Sequence, residues 1–397
     1  MFLRRQFYER ISQTSEVPQG FEISRAEGCW LYDQQGVPYL DLISGFGVNN
    51  LGHQPAPVIE AIQQQSQRYL HSNVFGEHIQ RVQIQFAERL AGFLPPSLNS
   101  FYFLSSGSEA IDAALKLARL ATQRVEWVVC KNAYHGSTLG AESLRSDEAH
   151  KSPFLPLIPG VRFIEFGNLQ DLDCIGPHTA AVITEVVQAE AGIQMAESEW
   201  WHRLRQQCTT HGALLVLDEI QTGMGRTGSL FSFMKEGVVP DLLVCGKALG
   251  AGLPLSAVIA ERQLMQTLFR KLPLAHITTF GGHPLSCAAA LAGLELLTKG
   301  GILDGVESKG LALEKEFIRL GFHNLHRRGL FMALDFKEQR EALHWMRRLY
   351  DQKILAEGFL FHSKALRIAP PLIIGEAALQ QIVVAFSHIQ QSSTDLH

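Results

Sequence analysis

Cysteine is scarce in this 397-residue chain and lies scattered, at Cys29, Cys130, Cys174, Cys208, Cys245 and Cys287. No two are close enough in sequence for a zinc or redox pair, so buried, reduced thiols in a cytoplasmic protein are expected. Sixteen histidines form no His-Glu-x-x-His pattern and no tight His/Cys cluster, so no metal is expected. An excess of one charge is missing too. With 35 basic and 39 acidic side chains the formal charge is −4, which gives no reason to expect nucleic acid as a partner. No apolar run approaches the roughly 20 residues needed to span a bilayer, so no membrane partner is expected. Arg4, Arg5, Glu9 and Arg10 interrupt the N-terminus and leave no secretory apolar segment; Glu9 and Glu16 also oppose a mitochondrial leader. Internal repeats, low-complexity stretches and a long linker are likewise absent.

The composition that remains is 46% hydrophobic and 19% charged. That apolar fraction can bury a large core, and the length suits two domains or one large domain with a smaller companion. The middle of the chain alternates strand-like and helix-like runs. Phe101 to Leu104, Glu126 to Cys130, Val161 to Phe166, Ala180 to Val187, Ala213 to Leu217 and Leu242 to Cys245 are short and apolar on both faces, as parallel strands covered on both sides should be. After Ser108, Ile111, Ala114, Leu115 and Ala118 recur at helical spacing, and a second helix is expected from Trp200 to His211. The fold class is therefore α/β, with a large, doubly wound, mostly parallel sheet. The ends read differently. Turn signals fill the chain up to about Tyr39, and a long helix from Pro284 leads into an α+β region, with a strand over Leu330 to Phe336 and helices over Glu341 to Lys353 and Ala377 to Ile389. A large domain over 40–285 and a smaller one built from 1–39 and 286–397 are expected.

Several segments could carry chemistry. Ser105-Ser106-Gly107-Ser108-Glu109 stands at a strand-to-helix junction, where small residues and free helix N–H groups fit a phosphate; alone, it reads first as an ordinary N-cap. Tyr134-His135-Gly136 follows a strand and could stack on a planar ligand, or be a turn. Asp218 ends an apolar strand, where a buried acid needs a partner: a protonated ring nitrogen, or local backbone amides. Gly223, Gly225 and Gly228 spell a dinucleotide fingerprint, yet Asp-Glu-Ile-Gln-Thr separates them from the strand and no convincing helix follows, so that reading is set aside. Lys247 ends another apolar strand and opens a glycine-rich loop, so it is either paired or functional; it lacks the upstream glycine and the following Ser/Thr of a Walker lysine. Thr278-Thr279 can offer a hydroxyl to an anion, and Arg367, before Ile368-Ala369-Pro370-Pro371, suits a bidentate carboxylate contact.

In order along the chain, these segments resemble the class III pyridoxal-phosphate-dependent aminotransferases of fold type I, over roughly residues 20–385. The most specific piece is Leu217-Asp218-Glu219-Ile220-Gln221-Thr222-Gly223 followed by Gly246-Lys247. The resemblance implies the cofactor pyridoxal 5'-phosphate, held by Lys247 as a Schiff base, with Lys247 then moving the proton. It implies that Asp218 keeps the ring nitrogen protonated, Gln221 bonds the phenolic oxygen, Tyr134 stacks on the ring and Ser106, Gly107 and Ser108 hold the phosphate. His135 and Glu185 belong to the same cofactor set, and Thr279 would reach the phosphate of a second copy, making a homodimer with shared sites. Glu190 and Arg367 resemble the family's gate: Arg367 for the carboxylate of glutamate or 2-oxoglutarate, Glu190 as its counter-ion when a distal amine is the donor. Three segments depart from the family pattern. Glu185-Val-Val-Gln-Ala-Glu190 lacks the usual Pro and Gly, His283 stands where Asn is usual, and Ser137 replaces an arginine that holds substrate carboxylates in acetylornithine- and 4-aminobutyrate-type members. The stretch from Gly45 to His53 looks closer to putrescine-type members, and Val74 and Phe75 could form an apolar pocket. The expectation is transfer of a terminal amino group from a diamine, aliphatic amine or ω-amino acid (ornithine-, acetylornithine- or putrescine-like) to 2-oxoglutarate. The alternatives are a glutamate-1-semialdehyde-type aminomutase and a cofactor-binding protein without turnover.

Overall fold

A computed structural model describes residues 2–270 and 272–394. Its centre is a seven-stranded sheet of β4 (Ser100–Leu104), β5 (Glu126–Cys130), β6 (Val161–Ile164), β7 (Thr179–Glu185), β8 (Leu214–Asp218), β9 (Leu242–Cys245) and β10 (Ser256–Ala260), in the order β4-β10-β9-β8-β7-β5-β6. Before it, β1 (Arg25–Glu27), β2 (Trp30–Tyr32) and β3 (Pro38–Asp41) form an antiparallel ribbon, which β13 (Ile354–Leu355) joins in parallel beside β3. A third sheet sets β11 (Leu325–Arg327), β12 (Met332–Asp335) and β14 (Ala365–Ile368) antiparallel. The two chain ends thus meet where β3 pairs with β13.

Alternation along the central strands divides the core into two layers. Leu215, Leu217, Leu243, Cys245, Val128 and Cys130 face one apolar cluster, and Val216, Leu242, Val244, Trp127 and Val129 face the other. Because side chains of a strand point alternately to opposite faces, an all-apolar strand requires cover on both. Trp200, Trp201, Leu204 and Cys208 of the helix Ser198–His211 provide it on one side, and the helix Gly107–Thr122 on the other. The latter is rich in alanine and leucine, which lose little side-chain entropy in a helix. It opens with a capping box in which Ser106 Oγ accepts from Glu109 N–H and the Glu109 carboxylate accepts from Ser106 N–H; it ends at Gln123 in the left-handed conformation.

Two features depart from the expected outline. The strand β10 was not anticipated, and it runs antiparallel to both neighbours. Residues 246–255 are too few for a crossover helix, so the chain turns straight back along β9. The expected Val161–Phe166, Ala180–Val187 and Leu330–Phe336 strands shorten or shift to β6, β7 and β12, while the helix from Glu341 starts earlier, at Gln339. Among the described residues no single helix is long and apolar enough to cross a membrane, and no group of three or more His, Cys, Asp or Glu side chains is placed to hold a metal ion.

Candidate active site

The carboxyl ends of β4, β5, β7, β8 and β9 converge on a chamber of about 320 Å³ lined by Gly107, Ser108, Tyr134, His135, Gly136, Ser137, Glu185, Asp218, Ile220, Gln221, Thr222 and Lys247. A strand-end position for ligands is what an open, doubly wound sheet offers. Glu185 and Asp218 are the last residues of neighbouring parallel strands and stand opposite each other in register. Asp218 Oδ2 accepts from His135 Nδ1 at 2.7 Å, and Oδ1 accepts from Ile220 N–H at 2.9 Å. Glu185 ties two loops to the strand end, accepting from Tyr134 N–H at 3.0 Å and from Ala189 N–H at 2.9 Å. The Ala189 bond closes the loop in which Pro and Gly of the family pattern are missing, aided by paired backbones at Gln188 and Gln194.

Burial and charge set the protonation of this wall. Burial pushes the Glu185 carboxyl up to about 7, with Asp218 adding to the rise and His135 opposing it. Burial alone would lower His135; the hydrogen bond and charge of Asp218, with Glu185 behind, outweigh it and hold the imidazole above its ordinary value. The raised imidazole can offset one carboxylate charge, that of its partner Asp218, and the upward shift of Glu185 relieves the other. Lys247 follows Gly246 at the end of β9 in a left-handed backbone conformation (φ 48°), which a side-chain-bearing residue adopts at a cost. Its Nζ donates to Gln221 Oε1 at 2.8 Å. Burial brings the amine down to about 8; Glu190 pulls the value up and Arg367 pushes it further down.

Pyridoxal phosphate fits this chamber. The capping box leaves the N–H groups of Gly107 and Ser108 without an acceptor among the described residues, at the positive end of a helix on the chamber wall. Gly107 packs so closely that a β-carbon there would come 2.7 Å from Ile220 Cδ1, so the backbone itself faces the ligand space. His135 Nε2 is buried and, among the described residues, without a hydrogen-bond partner. A lysine, a carboxylate and an aromatic ring share the same wall.

Other expected residues lie outside the chamber lining. Ser106 spends its hydroxyl on the cap, and its carbonyl accepts from Ser256 Oγ at 2.7 Å. Thr279 lines a separate hollow with Leu104, Ser105, Glu109 and His276. Phe75 packs edge-on against Tyr102 and donates its N–H to Thr278 O, and neither it nor Val74 lines the chamber. His283 caps the following helix, its Nδ1 accepting from Leu285 N–H at 3.3 Å.

Glu190 and Arg367 form a buried ion pair, Nη2 to Oε2 at 2.7 Å, with Arg367 1% exposed. Burial would raise the Glu190 carboxyl, but the guanidinium beside it holds it below the usual carboxylate range. Arg367 Nε donates to Gly358 O at 3.2 Å, while Nη1 has no hydrogen-bond partner among the described residues. Phe46, Phe331 and Phe359 surround the guanidinium at 4.9, 6.0 and 4.4 Å, which favours the cation through the ring quadrupoles. No linear pattern marks these rings, since they come from three separate segments. Sequence reasoning also passed over Arg226, inside the set-aside glycine triplet. That guanidinium is buried and donates to Leu330 O, Pro370 O and Asn50 Oδ1, tying the loop after β8 to the segments that flank β12 and β14. An arginine between small residues beyond a buried strand was the available signal.

The profile of the Aminotransferase class-III family matches residues 11–390. Among solved structures, an ornithine aminotransferase from Toxoplasma gondii ME49 superposes with a TM-score of 0.91 at 26% identity, over 100% of this chain and 96% of that one. The Toxoplasma gondii ornithine aminotransferase crystallised with oxidised glutathione, which holds pyridoxal phosphate at partial occupancy, gives 0.89 at 26% identity over 98% and 95%. A transaminase from the marine bacterium Virgibacillus shares the fold, with 0.91 at 24% identity over 99% and 100%. With its fold type I architecture and a chamber that fits the cofactor, the chain belongs to the class III aminotransferases and is a pyridoxal-phosphate-dependent transaminase.

Proposed function

We propose that this transaminase moves the terminal amino group of a diamine, an aliphatic amine or an ω-amino acid to 2-oxoglutarate, as a homodimer with shared active sites. The observation that carries the acceptor is Arg367, a buried guanidinium that, among the described residues, has one carboxylate partner and one unpaired nitrogen. A buried donor left unpaired costs roughly 1–3 kcal/mol. A second carboxylate, such as the distal one of 2-oxoglutarate, would satisfy it in a bidentate contact. While an amine donor is bound, Glu190 keeps Arg367 neutralised. The donor reading draws on the wall: Lys247 is the one lysine or arginine among the residues lining the chamber, and Ser137 offers only a hydroxyl, bonded to Tyr134 OH at 3.0 Å. Likeness to ornithine aminotransferases supports a terminal amine.

When bound, pyridoxal phosphate supplies an electron sink for the electron pair left by C–H ionisation. The protein's part is attachment, orientation and proton transfer. Lys247 Nζ would be the attachment point, and as a free amine it would carry the proton between the two carbons that exchange it. Asp218 would hold a proton on the ring nitrogen, with His135 fixing the carboxylate's orientation. Gln221 would bond the phenolic oxygen, Tyr134 would cover the ring face, and Gly107 and Ser108 would hold the phosphate. Thr279, outside its own chamber, would serve the phosphate of the second copy.

A half-reaction screen tests the proposal. The holoenzyme is mixed with ornithine, acetylornithine, lysine, putrescine, 4-aminobutyrate and longer amines while its visible absorption is followed. Loss of the band with one or more terminal amines, and its return with 2-oxoglutarate, is expected. No response to any amine, or a return with monocarboxylic oxo acids and none with 2-oxoglutarate, overturns the reading.

A further inference from the structure

The loop between β13 and β14 serves both members of the Glu190–Arg367 pair. Gly358 O accepts from Arg367 Nε at 3.2 Å, Leu360 N–H donates to Glu190 Oε2 at 3.1 Å, and Phe361 N–H donates to Glu190 O at 3.0 Å. Backbone groups hold such distances only if the loop itself is fixed. Phe359 anchors it within the aromatic surround of Arg367, but Leu360 beside it is exposed.

Arg145 lies over the Phe361 ring at 5.3 Å, and a further anchor is His362. Its Nε2 lies 2.9 Å from Oδ1 of Asp335, the last residue of β12, whose other oxygen faces His326 Nε2 of β11 at 3.6 Å. The imidazole also packs closely against the loop that carries Glu190: a β-carbon on Gly192 would come 2.5 Å from His362 Cδ2. Gly192 has a φ of +88° and donates its N–H to Ala189 O, so only glycine allows this approach. One ring is thus wedged between the small three-stranded sheet and the Glu190 loop, in a cluster that touches neither the chamber nor Lys247.

We infer that His362 is a positioning residue for the acceptor site: by bonding Asp335 and packing on Gly192, it fixes the loop that holds Arg367 and Glu190. This rests on the gate reading above. Recognition of the acceptor depends on Arg367 being held in place once Glu190 releases it, whereas the amine half-reaction depends on the chamber wall. Loss of His362 therefore weakens the acceptor step selectively.

The test compares the two half-reactions of the holoenzyme in single turnover, for His362→Ala, His362→Gln, Asp335→Asn and Arg367→Ala. His362→Ala should raise the 2-oxoglutarate concentration for half-maximal rate by about fivefold to tenfold, the loss of a single fixed hydrogen bond, and leave the limiting rate and the amine half-reaction within about twofold. His362→Gln, which keeps a donor near the Nε2 position, should restore most of the acceptor affinity, and Asp335→Asn should weaken it in the same direction. An unchanged acceptor step in His362→Ala, equal loss of both half-reactions, or a glutamine variant as impaired as the alanine one overturns the inference. If Arg367→Ala also spares the acceptor step, the gate reading itself has failed; if only the His362 variants do, the gate stands and the positioning role falls.

Discussion

The chamber wall and the gate solve the same problem, a buried charge, in different ways. Along the wall Asp218, Glu185 and Lys247 come from the ends of three adjacent strands of one sheet, and their partners His135, Gln221 and the loop amides follow within a few residues of strand ends. The gate joins Glu190, beyond β7, to Arg367, at the far end of the chain on β14, and surrounds them with rings from three further segments. Strand ends are held by ladders on both sides. At the gate Glu190 sits on a loop, and Arg367, although its backbone is paired within β14, has its guanidinium held by Glu190, by Gly358 O and by the surrounding rings. The wall is thus a fixed site for chemistry common to both half-reactions, and the gate is the part that can change between them.

The sharpest way to break this comparison is at Lys247. Lys247→Ala should abolish both half-reactions together with the covalent adduct trapped by borohydride, since the wall serves each; the adduct is read by intact mass. Normal turnover in this variant would remove the wall from the chemistry altogether.

A smaller and one-sided loss is expected at the gate. Arg367→Ala should reduce the apparent affinity for 2-oxoglutarate by about 10²-fold, the scale of a charge-assisted bidentate contact, with much less effect on amine deamination. The variant also leaves Glu190 buried without its counter-ion, so its folded state should be checked by thermal unfolding alongside the kinetics. Equal loss in both half-reactions would show that wall and gate act as one unit.

That difference in construction also explains what the sequence disclosed. Asp218 and Lys247 are legible because each interrupts the end of an apolar strand, where a charge has few structural excuses, and the intervening motif from Leu217 to Gly223 is local. The parallel sheet is legible for the same reason: strands apolar on both faces need two layers of helices. β10 was hidden because Ser256-Ala-Val-Ile-Ala260 is short, built of small residues and set close behind a glycine loop. The aromatic surround of Arg367 was hidden more deeply. Phe46 meets it from a turn in which Ser44 and Phe46 adopt left-handed φ angles of 51° and 54°, and nothing in a linear pattern announces which phenylalanines will meet one arginine. His362 and Asp335 likewise meet through the pairing of β12 with β14, not through spacing.

The smallest effect probes how wall and gate speak to each other. Lys247 captures a carbonyl as the neutral amine, and burial brings it down from its ordinary 10.5 to about 8. Below that value the folded protein carries the ammonium form, so capture of added pyridoxal phosphate by the cofactor-free protein should be slow. It should accelerate as pH rises through about 8 and then level off, whereas an ordinary lysine would keep gaining through pH 10. The signs at the gate follow from charge. Glu190→Gln removes an anion that favours the ammonium, so the midpoint should fall; Arg367→Ala removes a cation that disfavours it, so the midpoint should rise. Reconstitution rates followed by visible absorbance across pH 6.5–10 measure both shifts, each expected to be about half a unit to one unit, the scale of a single charge acting through a partly buried site. Midpoints that stay put in both variants would mean that the gate exerts no field on Lys247, leaving the two halves of the site coupled only through the substrate that passes between them.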